Sequence, residues 1–209
     1  MKLQISFDLT NLDEALAIAQ QVDPFADILE IGTILLYKEG IRALDAFRSA
    51  FPNKQLFVDA KLADRAEEVM SLCCQGGANI ISVLAGTSNA TITKATQIAR
   101  ERGCQIALDL IDANSMSQSS RDAEGLGVHT VLFHRAHEEA SAETLIEEWA
   151  TVRGNTKLPI FVSGRIKRSN ITSLLKLKPQ GFIIGRAITQ AQNPAQEAEY
   201  FYTLIREGQ

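Results

Sequence analysis

QLFVDAKLADRAEEVMSLCCQGG (55–77) divides into two parts. QLFVDA (55–60) is a short apolar run of the length and composition of a buried strand. DRAEEVMSLCCQGG (64–77) reads as a helix that stops in two glycines. The strand ends in a carboxylate, Asp59. Lys61 follows two residues later and Asp64 three after that. Residues two apart on a strand face the same side, so Asp59 and Lys61 share a face.

The unit repeats in both directions. Upstream, KLQISFD (2–8) and DILEIG (27–32) read as strands, with helices over 11–22 and 40–51. Downstream, strands at 79–85, 105–111, 129–134, 158–164 and 181–187 alternate with helices at 88–103, 115–127, 141–154, 169–177 and 193–208. Ser88 suits an N-cap, Gly103 a helix stop, and Pro194 a first helical turn. The sum is eight strands and eight helices in strict alternation. Near-continuous apolar strands are buried on both faces, and alternation argues for a parallel sheet. Eight units predict a compact (β/α)8 TIM barrel forming one domain over 1–209. The competing architecture is an open doubly wound sheet, but no Gly-x-Gly-x-x-Gly follows the first strand.

The bulk numbers narrow the function classes. The 209 residues are 45% hydrophobic and 22% charged, with a net charge of −4. That balance carries no basic stripe for nucleic acid and no polybasic segment for an anionic membrane. No apolar run reaches the roughly 18 residues of a membrane span, and the N-terminus lacks the core of a signal peptide. Cys73, Cys74 and Cys104 have no zinc-ligand spacing and read as reduced thiols of a cytoplasmic protein.

In such a barrel the working face lies where the strands end. Those ends carry Asp8, then Glu30 with Gly32 and Thr33, then Asp59, Lys61 and Asp64. The later strands end in Asp109, in His134, Arg135 and His137, in Ser163 and Gly164, and in Gly185 and Arg186. Converging carboxylates repel unless a cation holds them. Glu30 and Asp59 come from neighbouring strands and are hard oxygen donors of the kind Mg²⁺ takes. His134 is a proton carrier near neutral pH. VSGR (162–165) and IIGRA (183–187) each set glycine beside arginine in the loops where barrels hold phosphate.

D-x-K-x-x-D on the third strand, EIG on the second and an ALD-like start to the first resemble the orotidine 5′-phosphate decarboxylase superfamily. Within it the chain is similar to 3-keto-L-gulonate 6-phosphate decarboxylase and 3-hexulose-6-phosphate synthase over nearly its whole length. The resemblance implies a homodimeric barrel with shared sites and a Mg²⁺-dependent lyase activity on a sugar phosphate through an enediolate. It assigns Glu30 and Asp59 to Mg²⁺ and Lys61 to the enediolate. Asp64 would enter the partner's site, and Asp8 would bind substrate hydroxyls. His134 would move protons. Ser163, Gly164, Gly185 and Arg186 would bind phosphate. GTIL (32–35), FHR (133–135) and GRAI (185–188) favour decarboxylation of 3-keto-L-gulonate 6-phosphate to L-xylulose 5-phosphate. Asp109, a synthase-like residue, favours the alternative, addition of formaldehyde to D-ribulose 5-phosphate. His137 stands where the decarboxylase pattern has Arg. Arg65 and Arg165 replace small residues of the family pattern, which leaves a non-catalytic phosphometabolite-binding barrel as a third reading.

Overall fold

The computed structural model describes residues 1–135 and 141–208. His137 lies outside them. Eight parallel strands close in the order β1-β2-β3-β4-β5-β6-β7-β8, with β8 pairing back onto β1. They are β1 (Lys2–Phe7), β2 (Ile28–Ile31), β3 (Gln55–Leu62), β4 (Ile80–Leu84), β5 (Gln105–Asp109), β6 (Thr130–His134), β7 (Ile160–Ser163) and β8 (Gly181–Ile184). The (β/α)8 expectation is therefore met. An outer ring of helices covers the barrel: α1 (Leu12–Val22), α2 (Thr33–Glu39), α3 (Ile41–Ala50), α4 (Ala66–Gln75), α5 (Asn89–Arg102), α6 (Met116–Asp122), α7 (Ala142–Arg153), α8 (Arg168–Leu175), α9 (Arg186–Thr189) and α10 (Pro194–Glu207).

The expected caps are in place. Ser88 Oγ accepts from the Thr91 amide at the start of α5, Gly103 ends it with φ +72°, and Pro194 opens α10. Each helix buries one stripe. On α1 that stripe is Leu12, Ala15, Ile18, Ala19 and Val22, the periodicity of an amphipathic helix.

Several elements differ from the sequence expectation. TILLYKE (33–39) forms α2, and Gly40 at φ +62° separates it from α3. The last strand stops at Ile184 rather than running to 187. Gly185 turns out of the extended region, and Arg186 begins the four-residue α9. α6 ends at Asp122, short of 127. α4 begins at Ala66, because Arg65 adopts a left-handed conformation at its N-cap. Cys74 and Cys104 are joined as a disulfide, with Cα atoms 6.4 Å apart. Only Cys73 is the free, buried thiol that was expected, its pKa pushed up to about 11 by burial. No helix among the described residues is long and apolar enough to cross a membrane.

The barrel interior has two levels. The lower is a closed apolar cluster of Ile28, Phe57, Ile80, Ala107, Leu132, Phe161 and Ile183, one residue from each of β2 to β8. Strand side chains alternate, so the next residue on the same face is two positions along. Those positions are Glu30, Asp59, Ser82, Asp109, His134, Ser163 and Gly185. On β1 the same step leads from Gln4 to Ser6 to Asp8. A packed floor thus holds a polar layer above it.

Candidate active site

The polar layer faces a cavity of about 350 Å³ at the C-terminal end of the barrel, within the usual range for small-ligand sites. Asp8, Glu30, Thr33, Asp59, Lys61, His134, Ser163, Gly164, Gly185 and Arg186 all line it. Asp109 sits beneath it with a fully buried side chain. Asp64 is exposed and does not line the cavity of its own chain.

A chain of charged groups crosses the cavity floor. Lys61 Nζ donates to Asp59 Oδ2 at 2.7 Å and to Asp109 Oδ2 at 3.4 Å. The same Asp109 oxygen meets His134 Nδ1 at 3.1 Å, while Asp109 Oδ1 accepts from the Ile111 amide at 3.0 Å. Burial opposes the charge on Asp109, but His134 and Lys61 outweigh it and hold its pKa below the ordinary carboxylate value. An ionised Asp109 has no proton to give. The hydrogen between the two groups therefore belongs to His134 Nδ1, which leaves Nε2 as the ring nitrogen not committed to Asp109. This is the arrangement of a base oriented by a buried third group. Burial likewise works against the Lys61 ammonium, but Asp59 and Asp109 raise its pKa. It is a fixed cation.

Local backbone aims Lys61. The β3–β4 register shifts between Val58 and Leu62, and Lys61 has φ +44°. Its amide donates to Ser82 Oγ at 2.9 Å instead of to a strand carbonyl. A non-glycine residue in this region carries a cost of about 1–2 kcal/mol, and such irregularities gather where a side chain is re-aimed. Gly32 is needed for a different reason. A Cβ there would lie 2.4 Å from Asp8 Oδ1, and Asp8 uses that oxygen to accept from the Ile34 amide at 3.2 Å.

Glu30 forms the second half of the layer. Its oxygens accept from Gln4 Nε2 at 2.5 Å and Ser6 Oγ at 2.8 Å. Its pKa is pushed up to about 8, first by burial and then by the negative charges of Asp59 and Asp8. Asp59 is pinned by Ser82 Oγ at 2.8 Å and by Thr33 Oγ1 at 2.7 Å. Two buried carboxylates that repel each other form a donor set suited to a hard divalent cation. The described residues hold no group of three or more His, Cys, Asp or Glu placed to bind a metal. Such an ion would complete its coordination with water and ligand oxygens, as Mg²⁺ does. On the far side, Gly164 has φ +124°, and Arg186 and Arg165 line the mouth. Arg135 also lines the cavity but is paired with Glu148.

Residues 1–201 match the family described as orotidine 5′-phosphate decarboxylase / HUMPS. The chain belongs to this family. Its members include the 3-hexulose-6-phosphate synthase of Bacillus subtilis strain 168, 30% identical over 210 residues and the full length of both chains. Among solved structures, the 3-hexulose-6-phosphate synthase of Salmonella typhimurium superposes with a TM-score of 0.92 at 29% identity over all of both chains. The 3-keto-L-gulonate-6-phosphate decarboxylase of Vibrio cholerae superposes at 0.83 and 27% identity, covering 99% of this chain and 96% of that one. The chain is thus a member of a family of carbon–carbon lyases. Sequence reasoning named most of the layer but passed over Gln4, Ser6 and Ser82. Their signal was present: Ser82 is the lone polar residue of β4, and Gln4 and Ser6 alternate with Leu3, Ile5 and Phe7 along β1.

Proposed function

We propose that this chain is a Mg²⁺-dependent lyase that acts on a ketose phosphate through an enediolate, with addition of formaldehyde to D-ribulose 5-phosphate as its reaction. The observation that carries this reading is the 3.1 Å contact between His134 Nδ1 and the buried Asp109, which leaves Nε2 for the substrate. Aldol addition begins by removing the C1 proton beside the C2 carbonyl, and that step needs a positioned base. Decarboxylation needs none, since loss of CO₂ itself leaves the enediolate. His134 Nε2 takes the proton and Lys61 offsets the negative charge that develops on oxygen. The C1 carbon then bonds to formaldehyde, and a proton is returned to the new alkoxide. Glu30 and Asp59 hold the Mg²⁺, which when bound supplies Lewis-acid charge beside the reacting oxygens. Asp8 faces the sugar hydroxyls. Ser163, Gly164, Gly185 and Arg186 hold the phosphate.

The names of the similar synthases support the same choice. GTIL, FHR and GRAI place decarboxylation of 3-keto-L-gulonate 6-phosphate first in the sequence, and it stands here as the second reading. The active form in this proposal is a homodimer in which Asp64, exposed outside its own cavity, completes the site of the partner. Ile34 and Tyr37 on α2 are exposed apolar side chains. The test is turnover by one purified preparation of both substrates, with Mg²⁺ and with chelator. Formaldehyde-dependent loss of D-ribulose 5-phosphate that stops with chelator is expected. CO₂ release faster by tenfold or more would put decarboxylation first, and no turnover of either substrate would leave a binding barrel.

A further inference from the structure

Arg165 is the feature of the cavity that neither proposed reaction uses. It directly follows Gly164 in the loop after β7 and lines the same mouth as Arg186. Its backbone has φ +49°, a conformation that glycine adopts freely and a branched or long side chain does not. A costly conformation retained at the edge of a site points to a use for the side chain. Its neighbours among the arginines are committed: Arg135 to Glu148, and Arg168 to Glu197 at 2.7 Å. Arg165 is bonded, among the described residues, only through its carbonyl, which accepts from Asn170 Nδ2 at 3.1 Å. Its guanidinium is exposed and stands at the cavity rim.

We infer that Arg165 is a substrate-binding residue, a second guanidinium that joins Arg186 on the phosphate of a phosphomonoester. A phosphomonoester carries nearly two negative charges at neutral pH. Backbone amides of a glycine turn and one arginine leave much of that charge unmatched, and a second planar fork matches it. The inference rests on the proposed sugar-phosphate reading and extends it: this cavity selects for the charge of the phosphate end, through a residue the fold tolerates only under strain.

The test is calorimetric binding of inorganic phosphate, D-ribulose 5-phosphate and D-ribulose to the wild type, Arg165→Gly and Arg165→Lys. Glycine accepts the backbone conformation, so Arg165→Gly folds with an unchanged or higher Tm. Its affinity for both phosphate ligands is expected to fall about tenfold or more, the scale of a charged hydrogen bond. Arg165→Lys recovers part of the loss, D-ribulose binding is unchanged, and in turnover KM rises while kcat stays. Equal or tighter phosphate binding by Arg165→Gly would overturn the inference, as would an equal loss for D-ribulose. Wild-type affinity for phosphate too weak to measure also contradicts it. The binding arms need no turnover. A wild type that binds both phosphates and joins no formaldehyde therefore sinks the proposed reaction and leaves Arg165 standing.

Discussion

The two levels of the barrel interior use the same seven strands and differ by one step of the pleat. Below lie Ile28, Phe57, Ile80, Ala107, Leu132, Phe161 and Ile183. Two residues further on lie Glu30, Asp59, Ser82, Asp109, His134, Ser163 and Gly185. The lower level is a dry floor whose side chains contribute by burial, about 1.5–3 kcal/mol for each large one. The upper level is nearly as buried at Glu30, Asp59, Ser82 and Asp109, yet every one of those polar groups has a partner. Such a layer is tolerated only when fully bonded. The comparison separates stability from chemistry along each strand. A floor change should cost stability but not turnover, and a layer change should cost turnover whatever it costs in stability.

Lys61→Ala tests that division most severely. It leaves Asp59 and Asp109 without their shared cation. Activity should fall about 10²–10³-fold, the scale of losing one electrostatic stabiliser. Stability should fall by about 3 kcal/mol, because two buried charges lose their partner. Denaturant melts and kcat/KM measure the two effects on one preparation. Normal activity would remove Lys61 from the chemistry.

Phe161→Ala is the matching cut in the floor. It should lower stability by about 3 kcal/mol while kcat stays within about tenfold of the wild type under native conditions. A large loss of kcat in a folded Phe161→Ala protein would show that floor and layer are not separable.

The smallest effect concerns Glu30 and has a definite sign. Its folded pKa, about 8, lies above its ordinary value of 4.5. The folded chain therefore favours the protonated form. This contribution is fully present below about pH 4.5 and is lost as pH rises toward 8. In chelator, Glu30→Gln should have a higher Tm than the wild type at pH 8, with the gain vanishing near pH 4.5. A gain that is the same at both pH values would mean that the carboxylate charge is not what the fold resists.

The layer was legible in the sequence because strand ends can be recognised locally and alternation assigns the face. Asp59 and Lys61 follow from that rule alone. The pairing of Asp109 with His134 does not, since it depends on the register between β5 and β6. Neither does the backbone irregularity that turns Lys61 toward both carboxylates. Gln4, Ser6 and Ser82 escaped because attention to strand ends ignores strand middles. α2 and α9 are short and have no side-chain N-cap, and the Cys74–Cys104 approach is set by how α4 packs beside α5. No local pattern carries that information.

Proton exchange at C1 of D-ribulose 5-phosphate in D₂O, followed by NMR without formaldehyde, tests the central claim most directly. It isolates the step proposed for Asp109 and His134. The wild type is expected to wash deuterium into C1. His134→Ala should slow that exchange about 10²–10⁴-fold while binding D-ribulose 5-phosphate with unchanged affinity. Exchange by His134→Ala at the wild-type rate, or a wild type that binds the ketose phosphate and exchanges nothing, would contradict the assignment of the buried pair as the base.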